Sequence, residues 1–240
     1  MKTTTHGIYL TKVTRFPRVF PISCYFVRED DGLTLIDTGM SGSAQAIMAA
    51  AAAQGAPIVR IVLTHAHVDH VGSLDALHAA LPAAEVLISA RDARFLAGNR
   101  SLDPGEPQDK LRGGYQPCAT APTRLLADGD RVGSLLVVAT PGHTPGHIAL
   151  LDTRDGTLIA GDALHSHGGL AVTGNPTLLF PISRMVTWHR PSALASARRL
   201  RALNPSRLAV GHGPVFEQPL QALDAAIAKA ARSTPEHSLA

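Results

Sequence analysis

The chain is poor in cysteine, with only Cys24 and Cys118 among its 240 residues. The two thiols are far apart, and neither has a second cysteine at the spacing of a metal motif. Disulfide-dense scaffolds need several cysteines and occur in oxidising compartments. The scarcity therefore argues against a disulfide-stapled fold, and we expect a protein of the reducing cytoplasm.

A long apolar run is also missing. The first residues, MKTTTHGIYLTKV, do not contain the apolar core of a signal peptide. The alanine-rich stretch at 46–56, AIMAAAAAQGA, is too short to cross a bilayer and runs into Gly55 and Pro57. Such a stretch is typical of a helix that packs on a core. The sequence therefore predicts a protein with no membrane partner.

No strongly basic patch is present, although the formal net charge is +3 at pH 7. The arginines are scattered, apart from Arg198, Arg199 and Arg201 in SALASARRLRAL, where apolar residues repeat at helical spacing. Aromatic residues, which stack on bases in many nucleic-acid sites, are not interleaved with them. We interpret these arginines as the solvated face of a helix and expect no nucleic-acid partner.

The order of strand-like and helix-like segments indicates an α/β protein. A hydrophobic fraction of 45% and a charged fraction of 17% describe a globular chain. Apolar, β-branched runs predict strands at 22–29, 33–38, 57–64, 84–89, 131–140, 147–153, 156–161 and 206–211. Other patterns predict helices near 43–54, 71–81, 90–97, 192–203 and 218–232, and irregular segments at 98–123 and 163–188. We predict one domain over residues 1–240, with a two-layer sheet core and helices outside.

Histidine is abundant, and its distribution indicates a metal site. Of the 12 histidines, three fall in THAHVDH at 64–70, directly after a predicted strand. His65 and His67 are two positions apart, so an extended backbone places both side chains on one face. Asp69 and His70 follow where the chain turns into a helix. Because this spacing is not the i, i+4 pair of a helical zinc motif, the ligands must come from a strand-end loop.

Three further ligand-type residues follow other predicted strands, each beside glycine: His143 in TPGHTPGH, Asp162 in LIAGD and His212 in VGHGP. Glycine permits tight turns and close backbone approach. Imidazole and carboxylate suit Zn²⁺ and also Fe or Mn, whereas soft metals prefer cysteine. Five histidines and two aspartates exceed the needs of one tetrahedral ion. Two ions that share Asp162 as a bridge would use all seven.

HAHVDH, followed later by GH, GD and GHG, resembles the metallo-β-lactamase superfamily, whose signature is H-x-H-x-D-H. LIDTGM at 35–40 resembles the first motif of that family, and the matching segments extend from about residue 22 to 215 in the family's order. The resemblance implies an αββα sandwich, in which two sheets are flanked by helices and the metal site lies at one edge between the sheets.

The resemblance also implies a role for each ligand-type residue. Two metal sites would be formed, the first by His65, His67 and His143, and the second by Asp69, His70 and His212, with Asp162 bridging them. Asp37 matches a position that supports the site by hydrogen bonding. Asp69 would in addition orient the nucleophile and pass a proton to the leaving group. A hydroxide between two divalent ions, Zn²⁺ in preference to Fe or Mn, would attack a small ester, lactone or thioester.

Members of this family differ in substrate, and His165 helps to decide which substrate class is expected here. β-Lactamases are exported, and the missing signal peptide leaves β-lactam hydrolysis only as a side activity. Quorum-sensing lactonases typically carry a tyrosine three positions after the bridging aspartate, where this chain has His165. Its imidazole would donate a hydrogen bond to a carbonyl or leaving oxygen. A surface loop that contains His165 and His167 is the alternative.

Two other activities are weighed beside the hydrolase. Glyoxalase II shares the ligand set, but its C-terminal glutathione-binding helical extension is not evident in this sequence. A thiol or persulfide dioxygenase with a single iron is an alternative, and so is a ligand sensor without enzymatic activity. Because all seven ligand-type residues are present, the dinuclear hydrolase is favoured over both.

The irregular segment at 163–188 is expected to contact the substrate. It contains an apolar group: Leu178, Leu179, Phe180, Met185 and Trp188. These side chains predict a small-molecule substrate with an apolar acyl part, and the alternative is that they are core residues beneath a loop. The oligomeric state stays open, with a dimer as one possibility.

Overall fold

The computed structural model describes residues 1–234. The chain forms two compact units, each with its own group of strands. Unit 1 consists of Met1–Asn99 and Gly114–Leu126. Unit 2 consists of Arg100–Gly113 and the chain from Ala127 onward. The single domain over 1–240 stays a prediction, and residues 235–240 of its range lie outside the described residues.

Unit 1 is built on one seven-stranded mixed sheet. Its strands are β1 (Lys2–His6), β2 (Leu10–Arg15), β3 (Ile22–Glu29), β4 (Gly32–Ile36), β5 (Ile58–Val62), β6 (Glu85–Ser89) and β7 (Arg124–Leu126). Its helices are α1 (Ala44–Ala52), α2 (Val68–Val71), α3 (Leu74–Ala80) and α4 (Ala90–Leu96). The strands lie side by side in chain order, antiparallel from β1 to β4 and parallel from β4 to β7. Each parallel step needs a crossover connection, which explains why the helices fall between β4 and β7.

Unit 2 is built on a six-stranded mixed sheet and a separate two-stranded sheet. Its strands are β8 (Arg131–Val132), β9 (Leu135–Ala139), β10 (Ile148–Asp152), β11 (Thr157–Ile159), β12 (Leu164–His165), β13 (Ala171–Val172), β14 (Arg207–Ala209) and β15 (Phe216–Glu217). Its helices are a 3₁₀ helix (Pro181–Met185), α5 (Arg190–Ala202) and α6 (Leu220–Ser233). The larger sheet has the order β15-β14-β11-β10-β9-β8, and β12 pairs with β13.

The apolar side of α5 belongs to the core of unit 2. Leu194, Ala197 and Leu200 are buried in one cluster with residues of β10, β11 and β14, whereas Arg198 and Arg199 are exposed. The predicted amphipathic helix is therefore confirmed, with Arg198 and Arg199 solvated and Arg201 partly exposed in an ion pair with Asp224.

Most elements agree with their predictions, and the α/β class is confirmed. Two predicted elements are each divided in the structure. The strand at 131–140 is the hairpin of β8 and β9, which pair antiparallel around Gly133. The predicted helix at 71–81 corresponds to the last residue of α2 and the whole of α3, which are separated at Gly72. A Cβ on Gly72 would lie 2.5 Å from the backbone nitrogen of Ser41, so no larger residue fits there.

The sequence patterns did not predict several short elements. The strands β1 and β2 contain many threonines, which do not produce a clear alternation of apolar and polar residues. The segment 163–188, predicted to be irregular, contains β12, β13 and the 3₁₀ helix. None of the helices within residues 1–234 combines the length and apolar character needed to cross a membrane.

Lys12 on β2 is a buried cation, with 6% of its surface exposed. Burial, and after it the positive charge of Lys2, lowers its pKa from 10.5 to about 8. The unfolded chain holds this proton more tightly, so the charged side chain costs stability at pH 7, and the cost disappears as pH rises from about 8 to 10.5. We expect Lys12→Met to raise the free energy of unfolding at pH 7 by about 2 kcal/mol, measured by urea denaturation.

The control for Lys12→Met is Lys229→Met, because Lys229 lies on the exposed side of α6. This control should change stability little at any pH. If Lys12→Met stabilised the protein equally at pH 7 and pH 10.5, the buried charge of Lys12 would not be the cause of the lost stability.

Candidate metal centre

In unit 1, four predicted ligands lie where β5 ends and α2 begins. His65, His67 and His70 are buried. The ring centroid of His65 is 4.8 Å from that of His67 and 4.1 Å from that of His70. Asp69 is partly exposed, with its Oδ2 3.9 Å from His70 Nε2. The loop therefore brings three imidazoles and one carboxylate together, and we call these four residues the unit 1 set.

Asp37 holds this loop in place from the end of β4. Its Oδ1 accepts the backbone N–H of Thr64 at 2.8 Å, and its Oδ2 accepts the Thr64 hydroxyl at 2.9 Å. The same Oδ2 lies 2.7 Å from His70 Nδ1. A carboxylate is an acceptor only, so His70 carries its proton on Nδ1 and presents the lone pair of Nε2. Asp37 also has a φ of 61°, a strained value for a residue other than glycine.

Thr64 fixes the orientation of His65 in a similar way. Its hydroxyl proton is donated to Asp37, so its oxygen can only accept from His65 Nδ1, which lies 3.0 Å away. His65 therefore also presents the lone pair of Nε2. Behind the loop, the backbone N–H of Ala66 donates to Asp92 at 3.0 Å, and Asp92 is fully buried. Neither role was predicted from the sequence, since Thr64 is not a ligand-type residue of THAHVDH and Asp92 is distant from this stretch along the chain.

Cys24 lies in the same unit and is not a nucleophile. Burial, and after it the negative charge of Asp37, raises the pKa of its thiol well above the ordinary value. A protonated, buried thiol is a poor nucleophile.

In unit 2, the other three predicted ligands converge on one oxygen atom. Asp162 Oδ2 lies 3.4 Å from His143 Nε2 and 3.0 Å from His212 Nε2, and all three residues are buried. Two ligands of a tetrahedral ion, each about 2.05 Å from it, are separated by about 3.3 Å. The observed distances therefore fit a set of donors that binds a divalent cation. We call these three residues the unit 2 set.

A chain of hydroxyl groups orients His143. Thr187 donates its hydroxyl to the carbonyl oxygen of Ser183 at 2.7 Å, so it must accept from Thr173, 2.8 Å away. The Thr173 oxygen is then left to accept from His143 Nδ1 at 3.0 Å. His143 thus presents its Nε2 lone pair toward Asp162, as a metal-ligating histidine does.

His147 positions Asp162, a role that was not predicted from the sequence. Its Nε2 accepts the backbone N–H of Asp162 at 3.0 Å, and its Nδ1 lies 2.8 Å from the hydroxyl of Thr140. Because Nε2 accepts, the proton of this buried imidazole is on Nδ1. The repeated GH of TPGHTPGH was the available signal, since it places a second histidine four positions after His143.

We expect His147→Leu to lower the free energy of unfolding by about 2 kcal/mol, because it leaves the buried N–H of Asp162 without its acceptor. His147→Gln keeps an acceptor oxygen and should recover about half of this loss. Urea denaturation of both variants tests the expectation. Equal stability of the Leu and Gln variants would show that packing, rather than this hydrogen bond, is what His147 contributes.

His165 and His167 are both buried, so the alternative of an exposed loop is wrong for them. His165 Nε2 lies 3.0 Å from the carbonyl oxygen of Asn175. A carbonyl only accepts, so Nε2 carries the proton and Nδ1 has a free lone pair. Nδ1 is buried and has no hydrogen-bond partner within residues 1–234. Burial, more than any neighbour, lowers the pKa of His165 to about 4.

The expectation that His165 donates a hydrogen bond to a carbonyl or leaving oxygen therefore has to be corrected. The only proton of the neutral ring is used on Asn175, so the free nitrogen of His165 accepts. The sequence could not show this, because Asn175 acts through its backbone.

The predicted apolar group separates into two parts. Phe180 and Trp188 are buried, whereas Leu178, Leu179 and Met185 are 91%, 54% and 68% exposed. The Phe180 ring lies 5.0 Å from that of His212 and is nearly parallel to it, and it is 4.6 Å from that of His165. Phe180 thus shields one ligand-type residue of unit 2, and the exposed residues are free to meet a ligand.

Comparison with known proteins agrees with the resemblance of the sequence motifs. The family model described as the metallo-beta-lactamase superfamily matches residues 17–212, a range that includes the unit 1 set and the unit 2 set. The protein YobT of Bacillus subtilis strain 168 is 47% identical over 220 residues, which cover 91% of this chain and 94% of YobT.

An enzyme and a solved structure are also similar to this chain. Hydroxyacylglutathione hydrolase of Rhodospirillum rubrum is 33% identical over 180 residues, which cover 73% of this chain but only 56% of the enzyme. The crystal structure of TTHA1623 in a di-iron-bound form has a TM-score of 0.66 and 28% identity, and covers 93% of this chain and 98% of that one. The predicted αββα sandwich class is thereby supported by both sequence and structure.

Proposed function

Because this chain belongs to the metallo-β-lactamase superfamily, as the match over residues 17–212 shows, we propose that it hydrolyses a small ester, lactone or thioester with the help of two divalent cations. The observation that carries the proposal is the orientation of the imidazoles. His65, His70 and His143 each have Nδ1 engaged by Thr64, Asp37 and Thr173, respectively. Metal-ligating histidines almost always have their second ring nitrogen engaged in this way, and here the arrangement leaves the Nε2 lone pairs of three ligand-type histidines available.

The seven ligand-type residues are proposed to form one dinuclear site. One cation would be held by His65, His67 and His143, and the other by Asp69, His70 and His212, with Asp162 bound to both. The convergence of His143 and His212 on one oxygen of Asp162 supports the bridging role. Neutral imidazoles and carboxylates without thiolate suit Zn²⁺, Fe or Mn, and we propose Zn²⁺.

Bound divalent cations would supply Lewis acidity and a water of lowered pKa. The residues of the chain have separate tasks. Asp69 is the most exposed of the proposed ligands, with 24% of its side chain accessible, so it can orient the nucleophile and pass a proton to the leaving group. His165 offers the lone pair of Nδ1, which would accept a hydrogen bond from an O–H or N–H of the substrate.

The substrate is proposed to be a small molecule with an apolar acyl part. Leu178, Leu179 and Met185 expose apolar surface on the segment that also contains Phe180, and Phe180 contacts His165 and His212. Exposed apolar side chains grouped beside a polar site are typical of a ligand-binding surface.

A panel of substrates tests the proposal. Metal-loaded protein is assayed with thioesters, lactones and aryl esters that carry short or long acyl chains, and with a β-lactam. We expect turnover of at least one class, loss of turnover after chelation and recovery after Zn²⁺ is added back. No hydrolysis of any class by the fully loaded protein would contradict the proposal. Oxygen uptake with glutathione persulfide, in place of hydrolysis, would indicate the iron dioxygenase instead.

A further inference from the structure

Unit 2 contains a polar cleft of about 200 Å³ that the proposed hydrolysis does not use. The side chains that matter in its lining are Asp109, Arg112, Arg184, Trp188, His189 and Arg190. Among residues 1–234, this lining contains three guanidinium groups and one carboxylate, so its formal charge is positive. This cluster was not predictable from the sequence, because residue 112 is far from residues 184 and 190 along the chain.

The charge of Arg190 has only neutral partners among residues 1–234. The guanidinium donates to the carbonyl and hydroxyl oxygens of Ser233 at 2.8 and 2.9 Å, and reaches Asn175 Oδ1 at 3.4 Å. Its Nε–H is buried and has no hydrogen-bond partner in that part of the chain. Among residues 1–234, Arg190 is therefore held in position without a carboxylate to balance its charge, and a buried N–H without an acceptor is costly.

Arg184 adds a second positive charge to the same cleft. It is exposed, and it forms no hydrogen bond or ion pair with any residue from 1 to 234. Burial, and after it the positive charge of Arg184, lowers the pKa of Arg190. Two guanidinium groups close enough to repel each other favour an anion that binds between them.

Trp188 and His189, which also line the cleft, are held by hydrogen bonds to neighbouring backbone. The indole N–H of Trp188 donates to the carbonyl oxygen of Asp109 at 3.0 Å. The backbone N–H groups of Trp188 and His189 donate to the carbonyl oxygens of His143 and Gly142, at 3.1 and 2.8 Å. The cleft therefore adjoins the loop that carries His143, so a bound group would lie beside one of the proposed metal ligands.

We propose that this cleft is an oxyanion-binding site, in which Arg184 and Arg190 hold a carboxylate or phosphate group and Arg112 contributes a third guanidinium. Guanidinium groups bind both oxyanions through paired N–H donors, with charge-assisted hydrogen bonds. The volume is below the roughly 300 Å³ of the smallest pockets for a whole drug-sized ligand. The cleft thus suits a free small anion or the charged end of a larger molecule.

Trp188 makes a direct test possible, because it is the only tryptophan of the chain and it lines the cleft. Metal-loaded protein is titrated with inorganic phosphate and, separately, with succinate, while tryptophan fluorescence is recorded. We expect a saturable change for at least one anion. Arg184→Gln should weaken that binding about tenfold, since one charge-assisted contact is lost. The readout needs no turnover, so it does not depend on the proposed hydrolysis.

Two variants complete the design. Arg198→Gln is the matched control, because it removes an exposed arginine of α5 that does not line the cleft, and its affinity should equal that of the wild type. Arg190→Gln should also weaken binding, and the Arg184 variant covers the risk that Arg190→Gln destabilises the fold. The anion that loses more affinity in Arg184→Gln identifies phosphate or carboxylate as the preferred group. Equal affinities of wild type and Arg184→Gln for both anions, or no saturable change, would overturn the proposal.

Discussion

Asparagine in place of Asp162 is expected to lower kcat/KM for hydrolysis on the order of 10³-fold, which corresponds to several kcal/mol of lost transition-state stabilisation. The same Oδ2 of Asp162 lies near the Nε2 atoms of both His143 and His212. If Asp162 is the shared ligand of two cations, an amide at this position removes one negative charge from both of them at once. The metal content should fall together with the activity.

The stability of the Asp162→Asn variant separates this explanation from misfolding. The backbone N–H of Asp162 keeps its acceptor on His147, so circular dichroism and the urea midpoint of the metal-free protein should change little. Asp224→Asn serves as the control, because Asp224 is exposed and forms only a surface ion pair with Arg201. Turnover near the wild-type level in Asp162→Asn would contradict the bridging role.

Asp37→Asn is expected to weaken binding of metal ions 10- to 100-fold, the usual effect when a partner of a metal-ligating histidine is lost. The two carboxylate oxygens of Asp37 accept hydrogen bonds from the Thr64 N–H, the Thr64 hydroxyl and the Nδ1–H of His70. An amide has one acceptor oxygen, so at least one of these buried donors loses its partner. We also expect the free energy of unfolding to fall by about 2 kcal/mol.

Asparagine at position 37 changes the hydrogen bonds of the side chain without adding backbone strain. Asp37 has a φ of 61°, and asparagine tolerates this conformation better than most residues. Asp37→Ala would add backbone strain and should be less stable than Asp37→Asn. Competition with a fluorescent chelator measures the metal affinity. Wild-type affinity in Asp37→Asn would mean that the orientation of His70 does not depend on this carboxylate.

The half of the candidate site in THAHVDH was predictable because its residues are neighbours in sequence. An extended backbone after β5 places His65 and His67 on one face, and both are buried in the loop that also contains His70. The gathering of His143, Asp162 and His212 was predictable because each follows a strand of one sheet. The residues that orient these ligands were not predictable in the same way. Thr173 meets His143, and His147 meets Asp162, only in the folded chain.

The parts that escaped prediction depend on backbone atoms or on distant side chains. The role of His165 changed because a carbonyl group ten residues away uses its only proton. Arg184 and Arg190 have unremarkable sequence surroundings, and only the folded chain shows that they share a cleft. The strands β1 and β2 were missed because their threonines obscure the alternation that reveals other strands.

The metal content of the purified protein shows whether the seven ligand-type residues hold two cations. The protein is prepared without added metal, dialysed against metal-free buffer and measured by inductively coupled plasma mass spectrometry against the chain concentration. We predict about two equivalents of divalent metal per chain, with zinc as the main element. A total well under one equivalent, with no rise after Zn²⁺ is added and excess removed, would contradict a dinuclear site.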